Sequence, residues 1–182
     1  MTLDKLNHWD IRNSEKLRLN PKMHGIWQVA AFLAHSGDSW FWLFALLLVW
    51  LLTKNPWHTI SAILAIGVLT LAVIVLATKL LIRRRRPEGE WGSIYRRTDP
   101  HSFPSGHAAR AFMIVVLGIA FAPVGFAIAV FIWAPLVCLA RVMMGVHYLS
   151  DVIVGALVGI LWGVVIWLVS PWIMQLLPFI FR

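Results

Sequence analysis

Long apolar runs organise the chain. His58–Ile82, Ala108–Arg141 and Val152–Trp172 are each long enough to cross a bilayer core, which takes about 20 helical residues. The middle run is too long for one crossing. Pro123 and Gly125 divide it, because proline removes a helical donor and glycine loosens the turn. Two antiparallel helices are therefore predicted, Ser105–Ala122 and Val124–Met144. Trp40–Leu52 is shorter but almost wholly apolar; with Ser39 or Asp38 as its N-cap it makes a fifth crossing. Pro21–His35 has a short apolar core, Ile26–Ala34, which contains Gln28, and reads as an interfacial or half-inserted helix that would raise the count to six. The pattern predicts one domain over residues 1–182. Its class is all-α, a polytopic membrane helix bundle of five or six transmembrane helices behind a polar and interfacial segment at 1–38.

Composition agrees with a membrane address. Hydrophobic residues make up 60% of the chain and charged residues 13%, about half the charged share of a soluble domain. The first twenty residues are polar and of mixed charge, without the apolar stretch of a cleavable signal peptide. Trp40, Trp57, Trp91, Tyr95, Tyr148 and Trp172 fall near the predicted ends of spans, where aromatic rings anchor at the interface. The single cysteine, Cys138, lies inside an apolar run and reads as helix packing. A net charge of +8 on so apolar a chain points to anionic lipid head groups or an anionic substrate and away from nucleic acid. The expected address is a cell membrane crossed several times, a bacterial inner membrane or plasma membrane.

Ionisable groups at span ends are costly, so each asks for a reason. Lys79 closes the second span, Arg86 precedes Pro87, His107 and Arg110 open the third helix, Arg141 closes the fourth, and His147 and Asp151 lie between the fourth and fifth. In a five-span topology all of these reach one face of the membrane. Lys79, Arg86 and Arg141 suit a phosphate dianion, whose oxygens guanidinium forks match in pairs. Ser105 and Gly106 stand at a helix start, where free N–H groups and the positive dipole end favour an anion. His147 and Asp151 are spaced i, i+4, one turn apart on a helix; the carboxylate fixes the imidazole tautomer and leaves the other nitrogen free to attack phosphorus. His107 is placed to protonate the leaving alkoxide and then to activate water. Taken alone, Arg83, Arg84 and Arg85 read as a juxtamembrane anchor, Asp38 as a cap, and Arg110 as a group facing lipid heads. His35 has no partner at a meaningful spacing, and His101 is near enough to touch the site.

These residues spell a signature. Lys79, six residues, then Arg86-Pro87; Pro104-Ser105-Gly106-His107; and Arg141, five residues, His147, three residues, Asp151 resemble, in order, the three motifs of the type-2 phosphatidic acid phosphatase (PAP2) family. The third motif usually opens with Ser-Arg; here it is Ala140-Arg141, a departure that touches a peripheral hydrogen bond. The resemblance spans 79–151 and implies a haloperoxidase-like helical core and a membrane phosphatase acting on a lipid phosphomonoester or diphosphate. Phosphatidic acid, phosphatidylglycerophosphate, undecaprenyl diphosphate and lipid A phosphates are its candidate substrates. It further implies a phosphohistidine on His147, His107 as acid, Lys79, Arg86, Ser105, Gly106 and Arg141 around the phosphate, and no metal or cofactor. Vanadium haloperoxidases are similar in all three motifs but are soluble, which this hydropathy opposes. A non-enzymatic lipid-phosphate binder or transporter would keep the cations without needing His107, His147 and Asp151 together.

The sign of the loops gives an orientation. With five spans the N-terminal segment, with Lys5, Arg12, Lys16, Arg18 and Lys22, shares the catalytic face with the arginines of the Arg83–Pro104 loop. By the positive-inside rule that face is expected to be cytoplasmic.

Overall fold

The computed structural model describes residues 3–20, 22–88 and 99–181. Within them the chain forms α1 (Leu3–Lys16), α2 (His24–Ser36), α3 (Ser39–Leu52), α4 (Trp57–Ile82), α5 (Gly106–Phe121), α6 (Val124–Met143) and α7 (Leu149–Leu176), with a 3₁₀ turn at Pro178–Ile180. The expected Trp91 and Tyr95 anchors, with Arg96 and Arg97, lie outside the described residues.

The class is the expected one, a membrane helix bundle, but the crossings are less uniform than hydropathy alone suggests. Three helices, α4, α6 and α7, are long and apolar enough to cross a membrane. The α2–α3 pair adds a fourth if it is one span, bent by 60° at its break. By length alone Trp40–Leu52 does not count as a separate full-length span, although α3 runs from Asp38 beside His107 to Trp50 beside Ile180 at the other end of the bundle. At 14 residues α3 is about 21 Å long, short of a hydrocarbon core of about 30 Å. Helix α5, at 16 residues, is also short, about 24 Å. It does not need to meet lipid along its length, because Ala108, Ala109, Ala111, Met113, Ile114 and Leu117 are wholly buried among its neighbours. The lipid-facing surface is carried by outward residues such as Leu69 and Val73 of α4, Phe131 and Ile132 of α6, and Leu157, Leu161 and Leu168 of α7. The interfacial reading of the second segment fits α2, whose Ile26, Val29 and Phe32 are exposed while Ala30 and Ala34 pack on Ala140, Met144 and Val146.

Helices α5 and α7 approach backbone to backbone. A Cβ built on Gly159 would lie 2.0 Å from the Ala109 carbonyl oxygen, and one on Gly155 would lie 2.5 Å from the Ser105 oxygen. In lipid, where apolar burial does not favour helix association, small residues that permit such contact are what hold helices together. This seam also sets the site, because it fixes the start of α5 against the start of α7. Gly159→Ala is expected to push the two helices apart and to cost at least about 2 kcal/mol, seen as a clear fall in melting temperature in detergent. Gly25→Ala, at a position with nothing within 4 Å, is the control and is expected to leave that temperature unchanged or raise it slightly. Equal behaviour of the two variants would contradict the seam.

Asp10 of α1 bonds to Ser150 at the start of α7, while the Ile180 carbonyl accepts from Trp50 Nε1 (2.8 Å) and faces His58 Nε2 (3.0 Å) at the other end of the bundle. The described N-terminal helix therefore lies at the end that holds the clustered ionisable groups.

Candidate active site

At that end the bundle encloses a cavity of about 590 Å³. Lys79 and Arg86 enter it from the end of α4 and the loop beyond, Gly106 and His107 from the start of α5, Arg141 from α6, and His147 from the α6–α7 connection. One wall is apolar: Val68, Leu71, Val75 and Leu76 of α4 line it below Lys79, and Trp40 of α3 also borders the cavity. Every ionisable residue singled out by spacing lines this cavity except Asp151, which stands behind His147.

Lys79, Arg86, Arg141, His147 and Asp151 are all buried. His147 Nε2 lies 3.1 Å from Arg86 Nη1. A guanidinium only donates, so Nε2 carries the lone pair and Nδ1 the proton. Nδ1 faces Asp151 Oδ2 at 3.6 Å, ion-pair reach although long for a hydrogen bond. The pair does not share a helical turn as the i, i+4 spacing suggests. His147 precedes α7, and Asp151 is the third residue of the helix, whose Oδ2 accepts from the Tyr148 N–H (2.9 Å) as an N-terminal cap. The Asp151 carbonyl accepts from the Ser105 N–H (2.9 Å), tying the third motif to the second. Burial first, then Arg86, Arg141 and Lys79, hold the His147 imidazole well below its usual range, so it is neutral at physiological pH.

Arg84 is not a lipid anchor. Its Nη1 donates to Asp151 Oδ1 (2.7 Å) and Ser150 Oγ (2.6 Å), its Nη2 donates to Asp10 Oδ2 (2.7 Å), and its guanidinium lies 4.2 Å above the Tyr148 ring. Tyr148, half-buried, thereby gives the Arg84 guanidinium a surface to pack on. Asp151 is thus held on both oxygens. Burial weakens the Arg84 charge, but Asp151 and Asp10 outweigh it and raise its pKa further.

The phosphate-binding candidates converge. Ser105 caps α5, its hydroxyl 3.5 Å from the Ala108 N–H. Arg141 donates from Nη1 to the Ala34 carbonyl (3.3 Å). Arg86 donates to the Val146 carbonyl (2.9 Å), to the Asp99 carbonyl (2.7 Å) and to Asp99 Oδ2 (2.8 Å). Lys79 Nζ donates to that same Asp99 oxygen. Sequence spacing gave no sign of Asp99. Its carboxylate bridges two of the three cations, as an anionic ligand would.

His107 Nε2 meets Asp38 Oδ1 at 2.6 Å, and Asp38 Oδ2 faces His35 Nδ1 at 3.3 Å. Asp38 does hold the N-cap position of α3, but its side chain makes no cap hydrogen bond. It forgoes about 1 kcal/mol of capping to face His107. His35 accordingly has a partner. Arg110 is buried rather than turned to lipid heads, and donates to the Gly37 carbonyl and Ser39 Oγ, on either side of Asp38. His101 lines the cavity. Cys138 is buried among Ala108, Val142 and Val152, as packing requires. Among the described residues, no three His, Cys, Asp or Glu side chains converge as metal ligands.

A family model described as "PAP2 superfamily" matches residues 62–175, a stretch that contains all eight site residues. The crystal structure of Aquifex aeolicus LpxE is similar at a TM-score of 0.68 and 22% identity, over 87% of this chain and 94% of that one. That of the first transmembrane PAP2-type phosphatidylglycerolphosphate phosphatase from Bacillus subtilis is similar at a TM-score of 0.71 and 22% identity, over 89% of this chain and 84% of that one. At such identity the likeness carries the fold.

Proposed function

The chain belongs to the PAP2 superfamily, and from that premise we propose that it is a membrane phosphatase hydrolysing a lipid phosphomonoester or diphosphate through a phosphohistidine. The observation that carries the reading is His147: a buried neutral imidazole whose Nε2 lone pair lies 3.1 Å from Arg86, in a cavity shared with Lys79, Arg141 and His107. His147 Nε2 attacks phosphorus while the ester oxygen leaves with a proton from His107. Water, deprotonated by His107, then attacks the phosphohistidine and frees inorganic phosphate. Both proton transfers return the site to its starting state. Lys79, Arg86 and Arg141, with the N–H groups at the start of α5, hold the phosphoryl oxygens through the five-coordinate transition state. The cavity's apolar wall on α4 supports a substrate with a hydrocarbon tail beside its phosphate. Phosphatidic acid, phosphatidylglycerophosphate, undecaprenyl diphosphate and lipid A phosphates all answer that description, and the substrate pool is that of the cell membrane. Side-chain cations supply the positive charge around the phosphate, so metal is not required in this reading.

Purified protein in detergent is expected to release phosphate from at least one lipid phosphate with EDTA present. No release from the whole panel would end the reading, and activity lost to EDTA and restored by Mg²⁺ would end its metal independence.

An alkoxide needs a proton to leave and an activated phenolate needs far less. His107→Ala is therefore expected to lower kcat on a lipid phosphate by about 10²–10⁴ and on an aryl phosphate by much less. Equal losses would remove the acid role.

Asp99 competes with phosphate for Lys79 and Arg86. Asp99→Asn is expected to tighten inhibition by vanadate, a mimic of five-coordinate phosphorus, by about fivefold, or about 1 kcal/mol. Unchanged or weaker inhibition would contradict that competition.

A further inference from the structure

His107 has a problem that the three motifs do not solve. To act as an acid it must carry a proton, yet the charges around it oppose one. Arg110 lies three residues along its own helix, Arg141 faces it from α6, and Lys79 and Arg86 line the same cavity. Like charges favour the neutral imidazole. Of the carboxylates lining the cavity, Asp99 is engaged with Lys79 and Arg86. Asp38 is in contact with the imidazole itself, Oδ1 lying 2.6 Å from Nε2.

The backbone around Asp38 is built for that contact. Arg110 donates to the Gly37 carbonyl and to the Ser39 hydroxyl, gripping both neighbours, and the Asp38 N–H donates to the His35 carbonyl (2.9 Å). Gly37 leaves room for the ring, since a Cβ there would stand 3.1 Å from His107 Cδ2. Although the residue occupies a cap position, its carboxylate turns from the helix to the histidine.

We propose that Asp38, at the α2–α3 bend, is a positioning residue that serves as counter-ion to His107, fixing its Nε2–H and keeping the imidazolium available as the general acid. The proposal rests on the phosphatase reading above and deepens it. Nε2–H stays on Asp38 throughout. Nδ1 is then the nitrogen that gives its proton to the leaving oxygen and takes one back from the attacking water. His35 faces the second carboxylate oxygen and orients it.

The test compares wild type, Asp38→Asn and Asp38→Glu in detergent, on a long-chain alkyl phosphate and on p-nitrophenyl phosphate, across pH. Asp38→Asn is expected to lose about 100-fold in kcat on the alkyl phosphate and only a few-fold on the aryl phosphate. The basic limb of its kcat profile is expected to move to lower pH by about one unit, because an imidazolium without its counter-ion gives up its proton sooner. Asp38→Glu, which keeps the charge, is expected to recover part of both effects. Equal losses on both substrates with an unmoved limb would make Asp38 a packing residue and overturn the inference, as would wild-type behaviour of the asparagine variant. Should Asp38→Asn not fold, nitrogen NMR of histidine-labelled wild type decides. A hydrogen-bonded Nε2 proton that disappears in His107→Gln is expected, and its absence overturns the pairing. A wild type inactive on every phosphate would overturn the underlying phosphatase reading and this inference with it. An active wild type whose variant fails the substrate comparison overturns this inference alone.

Discussion

His147→Ala is expected to abolish turnover, with kcat falling by at least about 10⁴, because without the nucleophile the double displacement has no first step. Binding is expected to survive. Lys79, Arg86 and Arg141 come from other elements, α4, its following loop and α6, and keep their own partners when the imidazole is gone. Since His147 is only 1% exposed, truncation opens a small void, which His147→Gln largely fills; both variants are expected to bind the lipid phosphate within a few-fold of wild type. The check is kcat from phosphate release beside Kd from calorimetry in detergent. Retention of more than about a hundredth of wild-type kcat would assign the nucleophile elsewhere.

Asp151→Asn is the second severe change, expected to cost about 10²–10⁴ in kcat. Asp151 Oδ2 faces the protonated Nδ1 of His147 and caps α7, while Oδ1 takes the Arg84 guanidinium. An amide keeps one accepting oxygen but presents an NH₂ where the other stood, so either the imidazole or Arg84 faces a donor. The tautomer that leaves Nε2 free is then no longer favoured. Arg84→Ala spares the carboxylate and removes only its anchor, so a smaller loss, about tenfold, is expected in the same assay. A variant Asp151→Asn with near wild-type kcat would separate the carboxylate from catalysis.

Much of this site was legible because its residues sit at fixed spacings on helix ends. Lys79 to Arg86, Ser105 to His107 and Arg141 to Asp151 are local relations, and hydropathy alone brings those helix ends to one face. What the sequence hid depends on distant segments meeting. Asp38 read as a cap because a carboxylate before an apolar run usually is one. Only the 60° bend between α2 and α3, with Arg110 gripping its turn, aims that carboxylate at a histidine 69 residues away. Arg84 was lost in a basic run whose common use is lipid anchoring, and its two carboxylates come from α1 and α7. Asp99 lies within the long polar loop, where spacing carries no periodic signal. The i, i+4 relation of His147 and Asp151 gave the right pair for the wrong reason: the contact reaches across a helix start instead of along a turn. Two helices, α3 and α5, are shorter than a full crossing for reasons that lie outside hydropathy. Hydropathy measures apolar run length, whereas α3 meets α2 at a bend and α5 is covered by its neighbours.

The central claim is that phosphate passes through His147, and rapid-quench labelling tests it most directly. Wild-type protein in detergent is mixed with a ³²P-labelled lipid phosphate that it turns over, quenched in alkali, and the label mapped by mass spectrometry. The expected result is a transient, alkali-stable and acid-labile phosphoryl group on His147, formed no more slowly than phosphate is released and absent from His147→Ala. Phosphate release with no labelled protein at any quench time, or a label on another residue, would contradict the account.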